Sequence, residues 1–146
     1  MPTPGAVVDY DRVSDFIRAL SKRFDVAAVG FDPWGATQLA TGLQNDGVTM
    51  IEVRQGFRTL SEPSKKLEAL ILSRKLRHPD QPLLNWAISN VTIAQDPAGN
   101  IKPDKESSTE RIDPVAALVT ALAVWMFRGD QQVRESVYET KGLEWL

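Results

Sequence analysis

Two short apolar runs bracket a helix-sized segment early in this chain, and that arrangement limits the folds open to it. Phe24 to Phe31 reads FDVAAVGF and Val48 to Val53 reads VTMIEV. Each is too short for a typical helix and rich in β-forming residues, so each is expected to be a strand. Between them Asp32-Pro33-Trp34-Gly35 forms a turn, Ala36 to Leu43 a helix, and Asn45-Asp46-Gly47 its stop. Ahead of the first run, Asp9 or Asp11 caps a helix whose Val13, Phe16, Ile17 and Leu20 recur on one face. Helix–strand–helix–strand calls for parallel strands joined by a right-handed crossover, which is an α/β architecture.

The second half is read in the same way. Arg54 to Leu60 is expected to be a loop, and Ser61 the cap of a helix from Glu62 with Pro63 in its first turn. Leu67, Leu70 and Ile71 supply its buried face. Pro82 to Ile88 reads as a short helix holding Trp86, and Val91 to Ala94 as a strand. Asp96-Pro97-Ala98-Gly99-Asn100 is a turn from which Ile101 starts a returning strand. Lys102 to Glu110 is polar and is expected to be mobile. Asp113-Pro114 opens a helix to about Phe127, with Asp113 as its cap. That helix is apolar nearly all round, so burial on every side is expected. The 146 residues fit one domain, with its core over about 5–127 and a tail over 128–146.

Several function classes are excluded. There is no cysteine, hence no disulfide scaffold and no thiolate metal site. No Gly-x-x-x-x-Gly-Lys-Ser/Thr loop, no Gly-x-Ser-x-Gly elbow and no Gly-x-Gly-x-x-Gly turn occurs. No run approaches the roughly 18 apolar residues of a membrane span, and Met1 to Tyr10 has no signal-peptide pattern. A cytoplasmic protein without membrane contact is the expectation. The net charge of −2 is unevenly spread, for residues 54–78 carry seven basic and two acidic side chains between acidic flanks. That segment either contacts phosphates or is a solvated helix face. His78, within it, is read either as a phosphate contact or as a surface or capping residue.

Two aspartates stand where chemistry can gather. Asp32 closes an apolar strand, and in open α/β sheets ligands collect outside the carboxyl ends of strands. A carboxylate there can hold a cation, or it can simply cap the next helix. Asp113 raises the same pair of readings. Trp34, Trp86 and Trp125 read chiefly as core residues, with base-stacking platforms as the other reading.

The string Val29-Gly30-Phe31-Asp32-Pro33-Trp34-Gly35-Ala36 resembles the second acidic strand end of the nuclease domains of tailed-phage terminase large subunits. In the same order follow Gln55-Gly56-Phe57-Arg58-Thr59-Leu60-Ser61-Glu62-Pro63, Lys66-Leu67-Glu68 and the stretch HPDQPLLNWAISN from His78 to Asn90. DPAGNIKPDK from Asp96 to Lys105 and Arg111-Ile112-Asp113-Pro114-Val115-Ala116-Ala117-Leu118 complete the set. The similarity covers about residues 5–127.

The resemblance implies a ribonuclease H-like fold and an endonuclease that cuts concatemeric phage DNA during packaging, in the host cytoplasm. It implies Mg²⁺ or Mn²⁺ in a two-metal arrangement, with Asp32 and Asp113 as the second and third metal-binding carboxylates. Lys102, Lys105, Arg111, Arg58, Lys65 and Lys66 become candidates for DNA contact, and Asp96 an outside candidate read chiefly as a turn residue. Double-stranded DNA, the small terminase subunit and the portal are the implied partners.

Two ions about 4 Å apart are clamped by shared carboxylates in such sites. Two carboxylates about 4 Å apart repel by roughly 4 kcal/mol at an effective dielectric of 20, which a divalent ion relieves. Oxygen ligands favour Mg²⁺ or Mn²⁺ over Zn²⁺.

The chain departs from the family at its start. The family's first acidic residue lies on an opening strand, whereas here a helix begins about ten residues in, and Asp9 and Asp11 stand in the link to it. The expectation is a domain shortened at its N-terminal β-hairpin sheet and lacking an upstream ATPase half, as either an excised piece of a longer protein or a broken prophage gene would give. Such a chain is expected to bind metal weakly, to cut little alone, and to self-associate through an unpaired edge of the strand Val26 to Phe31. Two other readings stay open. One is an inactive remnant that binds DNA or a partner, and the other is a different ribonuclease H-like nuclease.

Overall fold

The computed structural model describes residues 8–139, with side chains over 8–129. Its elements run α1 (Tyr10–Arg23), β1 (Val29–Phe31), α2 (Pro33–Asn45), β2 (Met50–Glu52), α3 (Phe57–Leu72), α4 (Pro82–Asn90), β3 (Thr92–Gln95), β4 (Ile101–Asp104) and α5 (Asp113–Glu139). The chain divides into two units, Met1–Glu52 and Val53–Leu146.

The first unit is the expected helix–strand–helix–strand. β1 and β2 pair in parallel, with Val29 opposite Met50, Gly30 opposite Ile51 and Phe31 opposite Glu52. Both strands are shorter than the apolar runs that carry them, and among the described residues β1 pairs with β2 alone. α2 makes the crossover and contributes the buried Ala40 and Leu43. Asp9, rather than Asp11, caps α1, its Oδ1 accepting the N–H groups of Asp11 and Arg12 at 3.1 and 3.2 Å. The apolar stripe of α1 is present but uncovered: no residue of the helix is buried, and Phe16 is 65% exposed. Arg18 ties α1 to the end of α2 through Asp46, Nη2 to Oδ2 at 2.7 Å.

In the second unit α3 packs on α5 and on β4, and α4 packs on α5. β3 and β4 form an antiparallel hairpin, with Thr92 opposite Asp104 and Gln95 opposite Ile101. The turn between them is organised by Asp96. Its carboxylate accepts the N–H groups of Ala98 and Asn100, both at 2.9 Å, and the Asn100 amide at 2.8 Å. These bonds, the Asn100 side chain foremost, hold the Asp96 carboxyl below its ordinary range. Asp96 is therefore the turn residue it was chiefly read to be.

Three elements differ from the sequence reading, each for a tertiary reason. α3 begins at Phe57 behind Gly56, not at Glu62 behind Ser61. The earlier start puts Leu60, Ser64 and Leu67 on one buried stripe, at i, i+4 and i+7. Pro63 then sits in the helix interior, where it withholds an N–H group. Ser61 is buried for another purpose, since its Oγ accepts the Ile101 N–H at 3.2 Å and so pins the start of β4 to α3. α5 is the second difference. It runs on to Glu139, through residues expected to be tail, and among its described side chains it buries a single stripe of Val115, Val119, Ala123 and Val124, continued from Ile112 just before it, rather than every side. Trp125 is 61% exposed and Phe127 is exposed too. Third, the stretch expected to be without regular structure starts as strand and carries hydrogen bonds to β3. Residues 101–104 are strand, and Ser108 Oγ accepts the Thr92 N–H at 3.0 Å while itself bonding the Asp104 carbonyl.

The Ser61 tie gives a direct test. Ser61→Ala leaves the Ile101 N–H without its partner, and a buried donor left unmade costs about 1–3 kcal/mol. Urea denaturation is expected to show a loss in that range, with Ser61→Thr retaining part of it. An unchanged midpoint in Ser61→Ala would show that water replaces the hydroxyl.

Candidate functional site

Asp32 follows the last residue of β1 and caps α2, its Oδ1 accepting the Trp34 N–H at 3.2 Å. An aspartate with extended backbone (φ −79°, ψ 123°) is a favoured cap, so the strand ends and the helix begins on one carboxylate. Oδ2 takes no hydrogen bond from a described residue. The residue is half-buried. Both sequence readings of Asp32 are therefore compatible in one side chain: it caps, and it keeps an oxygen at the carboxyl end of a parallel strand.

Asp113 lies in the second unit. It is the first residue inside α5 rather than its cap. The Ile112 carbonyl accepts the Val115 and Ala116 N–H groups at 2.9 and 3.0 Å, which makes Ile112 the residue that opens the helix. The Asp113 carboxylate is turned to Lys105, Nζ to Oδ1 at 2.8 Å, with both side chains more than half exposed. The pair stands at a concavity of about 300 Å³ lined by Lys105 and residues 108–113. Close by in the chain, the Asp104 carboxyl is held below its ordinary range by hydrogen bonds from Ser107 and from the Glu106 N–H. Among the described residues no three His, Asp or Glu side chains gather as a metal cluster.

The six candidate cations divide. Lys65 faces Glu62 at 3.8 Å, one turn away on α3. Lys66 lies 5.9 Å from the centroid of the Trp125 ring, and Lys102 lies 5.3 Å from that of Phe57 while donating to the Gln55 carbonyl at 3.5 Å. With Lys105 on Asp113, four of the six are engaged within their unit. Arg58 and Arg111 are exposed and have no ion-pair partner among the described residues. His78 is exposed between α3 and α4.

The tryptophans correct the sequence reading most sharply. All three expected in the core are exposed: Trp34 at 90%, Trp125 at 61% and Trp86 at 44%. Trp34 carries a signal that was there to be used. It stands between an Asp-Pro turn and a glycine, and the helical positions that follow it at i+3, i+4 and i+7 are Thr37, Gln38 and Thr41, none of them apolar.

The parallel crossover unit, the hairpin and the flanking helices have the ribonuclease H-like fold of large-terminase nucleases. The chain superposes with a TM-score of 0.76 and 33% identity on the crystal structure of the HK97 bacteriophage large terminase, over 84% of this chain and 26% of that one. The terminase large subunit of Enterobacteria phage HK97 is 34% identical over 122 residues, 82% of this chain and 24% of its own length. Protein YmfN of Escherichia coli (strain K12) is 31% identical over 143 residues, 97% of this chain and 31% of YmfN. A family described as terminase large subunit, endonuclease domain, matches residues 3–130. The chain belongs to the terminase large-subunit endonuclease-domain family. It spans about a quarter to a third of the length of these relatives. Among the described residues no helix is long and apolar enough to cross a membrane.

Proposed function

We propose that this chain acts as the nuclease portion of a phage DNA-packaging terminase. In this reading Asp32 and Asp113 hold Mg²⁺ or Mn²⁺, and concatemeric double-stranded DNA is the substrate. The observation that carries it is Asp32, a helix-capping carboxylate with a spare oxygen at the end of a parallel strand in a chain of this family. The donors suit a hard cation. Both are carboxylates, the chain has no cysteine, and each aspartate has an oxygen outside its hydrogen bond. Asp113 would present Oδ2, since Lys105 occupies Oδ1. A divalent ion bound there supplies an activated water and neutralises charge developing on the phosphate. Lys105 offsets the Asp113 charge, and Arg58 and Arg111 are the cations best placed to meet DNA phosphates. The small terminase subunit and the portal are the partners such a protein works with.

A second reading, a module that binds DNA without cutting it, draws on the absence of a three-carboxylate cluster among the described residues. One experiment addresses both. Binding of a labelled duplex, followed by anisotropy from low to moderate salt, is expected to weaken with a slope of about −0.9 per phosphate contact. Arg58→Ala and Arg111→Ala are each expected to reduce that slope by about 1. Nicking of plasmid in Mg²⁺ or Mn²⁺, absent in chelator, separates nuclease from binding module. A chain that binds duplex with no salt dependence would refute both readings.

A further inference from the structure

Trp34 projects almost wholly into solvent, and its backbone is built to keep it there. Pro33 fixes the preceding φ. The Trp34 N–H is held by Asp32 Oδ1 at 3.2 Å, and the Pro33 carbonyl accepts from Thr37 Oγ1 at 3.1 Å. Trp34 itself is extended (φ −67°, ψ 105°) inside an otherwise helical segment, and Gly35 follows at φ +76°. A positive φ is cheap for glycine and strained for other residues, so this break in the first turn of α2 depends on Gly35. The result is an indole standing off the end of β1, two residues from the carboxylate proposed to hold metal.

A tryptophan offers about 150–250 Å² for burial, and one left 90% exposed forgoes nearly all of it. Charge does not recommend this surface for DNA, because residues 1–52 carry four basic and seven acidic side chains. What the surface does offer is a flat, uncharged aromatic face with its backbone already ordered. Nucleobases stack on such faces without regard to sequence, because every base has a π-face, and the stack adds to whatever phosphate contacts basic groups elsewhere on the protein make.

We infer that Trp34 is a positioning residue: its indole stacks on a nucleobase of the DNA strand held at Asp32. This rests on the nuclease reading above. The ligand is an unpaired or frayed base, as found at a nick or in a locally opened duplex, and the stack fixes the strand beside the carboxylate.

The test compares the wild-type chain with Trp34→Ala and Trp34→Phe. The probes are a fluorescein-labelled oligothymidine of roughly 20 nucleotides and a strand of equal length made wholly of abasic units. Both substitutions keep the N–H that Asp32 accepts and alter an exposed side chain, so the unfolding midpoints should agree. Trp34→Ala is expected to bind oligothymidine about tenfold more weakly, in line with the loss of one stacked base. On the abasic strand it should bind as the wild type does, and Trp34→Phe should keep most of the affinity for oligothymidine. A merely structural role would lower binding to both strands alike. Equal loss on both strands overturns the inference. So does equal affinity of wild type and Trp34→Ala for oligothymidine, which would leave a protein partner as what Trp34 faces. If the wild type binds neither these strands nor duplex DNA, the nuclease reading fails and the inference falls with it.

Discussion

Asp32→Asn and Asp113→Asn are each expected to weaken Mn²⁺ binding and to bring metal-dependent nicking to background. Substitutions of residues that merely support metal ligands cost about 10–100-fold in affinity or activity, so loss of a ligand should cost more than about 100-fold. The structure makes these clean substitutions. Asparagine caps helices about as well as aspartate, so its side-chain amide oxygen can go on accepting the Trp34 N–H in place of Asp32 Oδ1. Asp113 pairs with Lys105 where both side chains are more than half exposed, and such pairs contribute roughly 0–1 kcal/mol. The unfolding midpoints should therefore barely move while metal binding is lost. Titration calorimetry with Mn²⁺ is the more sensitive readout if turnover is low, and nicking assays complete it. Unchanged Mn²⁺ affinity in both variants would remove Asp32 and Asp113 from the site.

Ile112→Ala is expected to act through stability instead. Ile112 is 1% exposed, and its carbonyl accepts the Val115 and Ala116 N–H groups in the first turn of α5. Truncation to alanine removes buried methyl and methylene groups and leaves a cavity, at about 2–5 kcal/mol. Against a total stability of about 5–15 kcal/mol this is a large fraction. The urea midpoint should fall sharply with the slope unchanged. Because Asp113 is the next residue, Mn²⁺ affinity should drop as well, and restore as low temperature or osmolyte restores folding. A variant as stable as the wild type would mean that the stripe on α5 closes around the smaller side chain.

What was legible in the sequence was local. The parallel crossover followed from two apolar runs and the helix between them. The Asp9 cap, the Asp32 strand end and the Asp96 turn all rest on bonds a few residues long, which local chemistry dictates. The failures were long-range. Ser61 has the chemistry of a good cap, and only β4, 40 residues onward, turns it to another use. The apolar residues around α5 gave no hint that Trp125 would lie outward beneath Lys66 while Val119 and Ala123 went inward. Which face of α5 is covered is set by the helices α3 and α4 that pack on it, and is invisible in α5 alone. The site was half legible in the same sense. Each aspartate could be placed on its element, but Lys105 as the companion of Asp113 depends on the fold of residues 104–112.

The packing of α3 on α5 also sets a timetable for synthesis. Leu60 and Leu67 of α3 find their cover in part from a helix that reaches Val124 only some sixty residues later. At about 5–20 residues per second, translation leaves that apolar stripe without its partner for roughly 3–12 seconds. The hairpin that Ser61 anchors arrives partway through, so the nascent chain gains partial cover before α5 completes it. Over that interval the growing polypeptide carries a sticky helix flanked by basic residues, the form in which a chaperone would meet it.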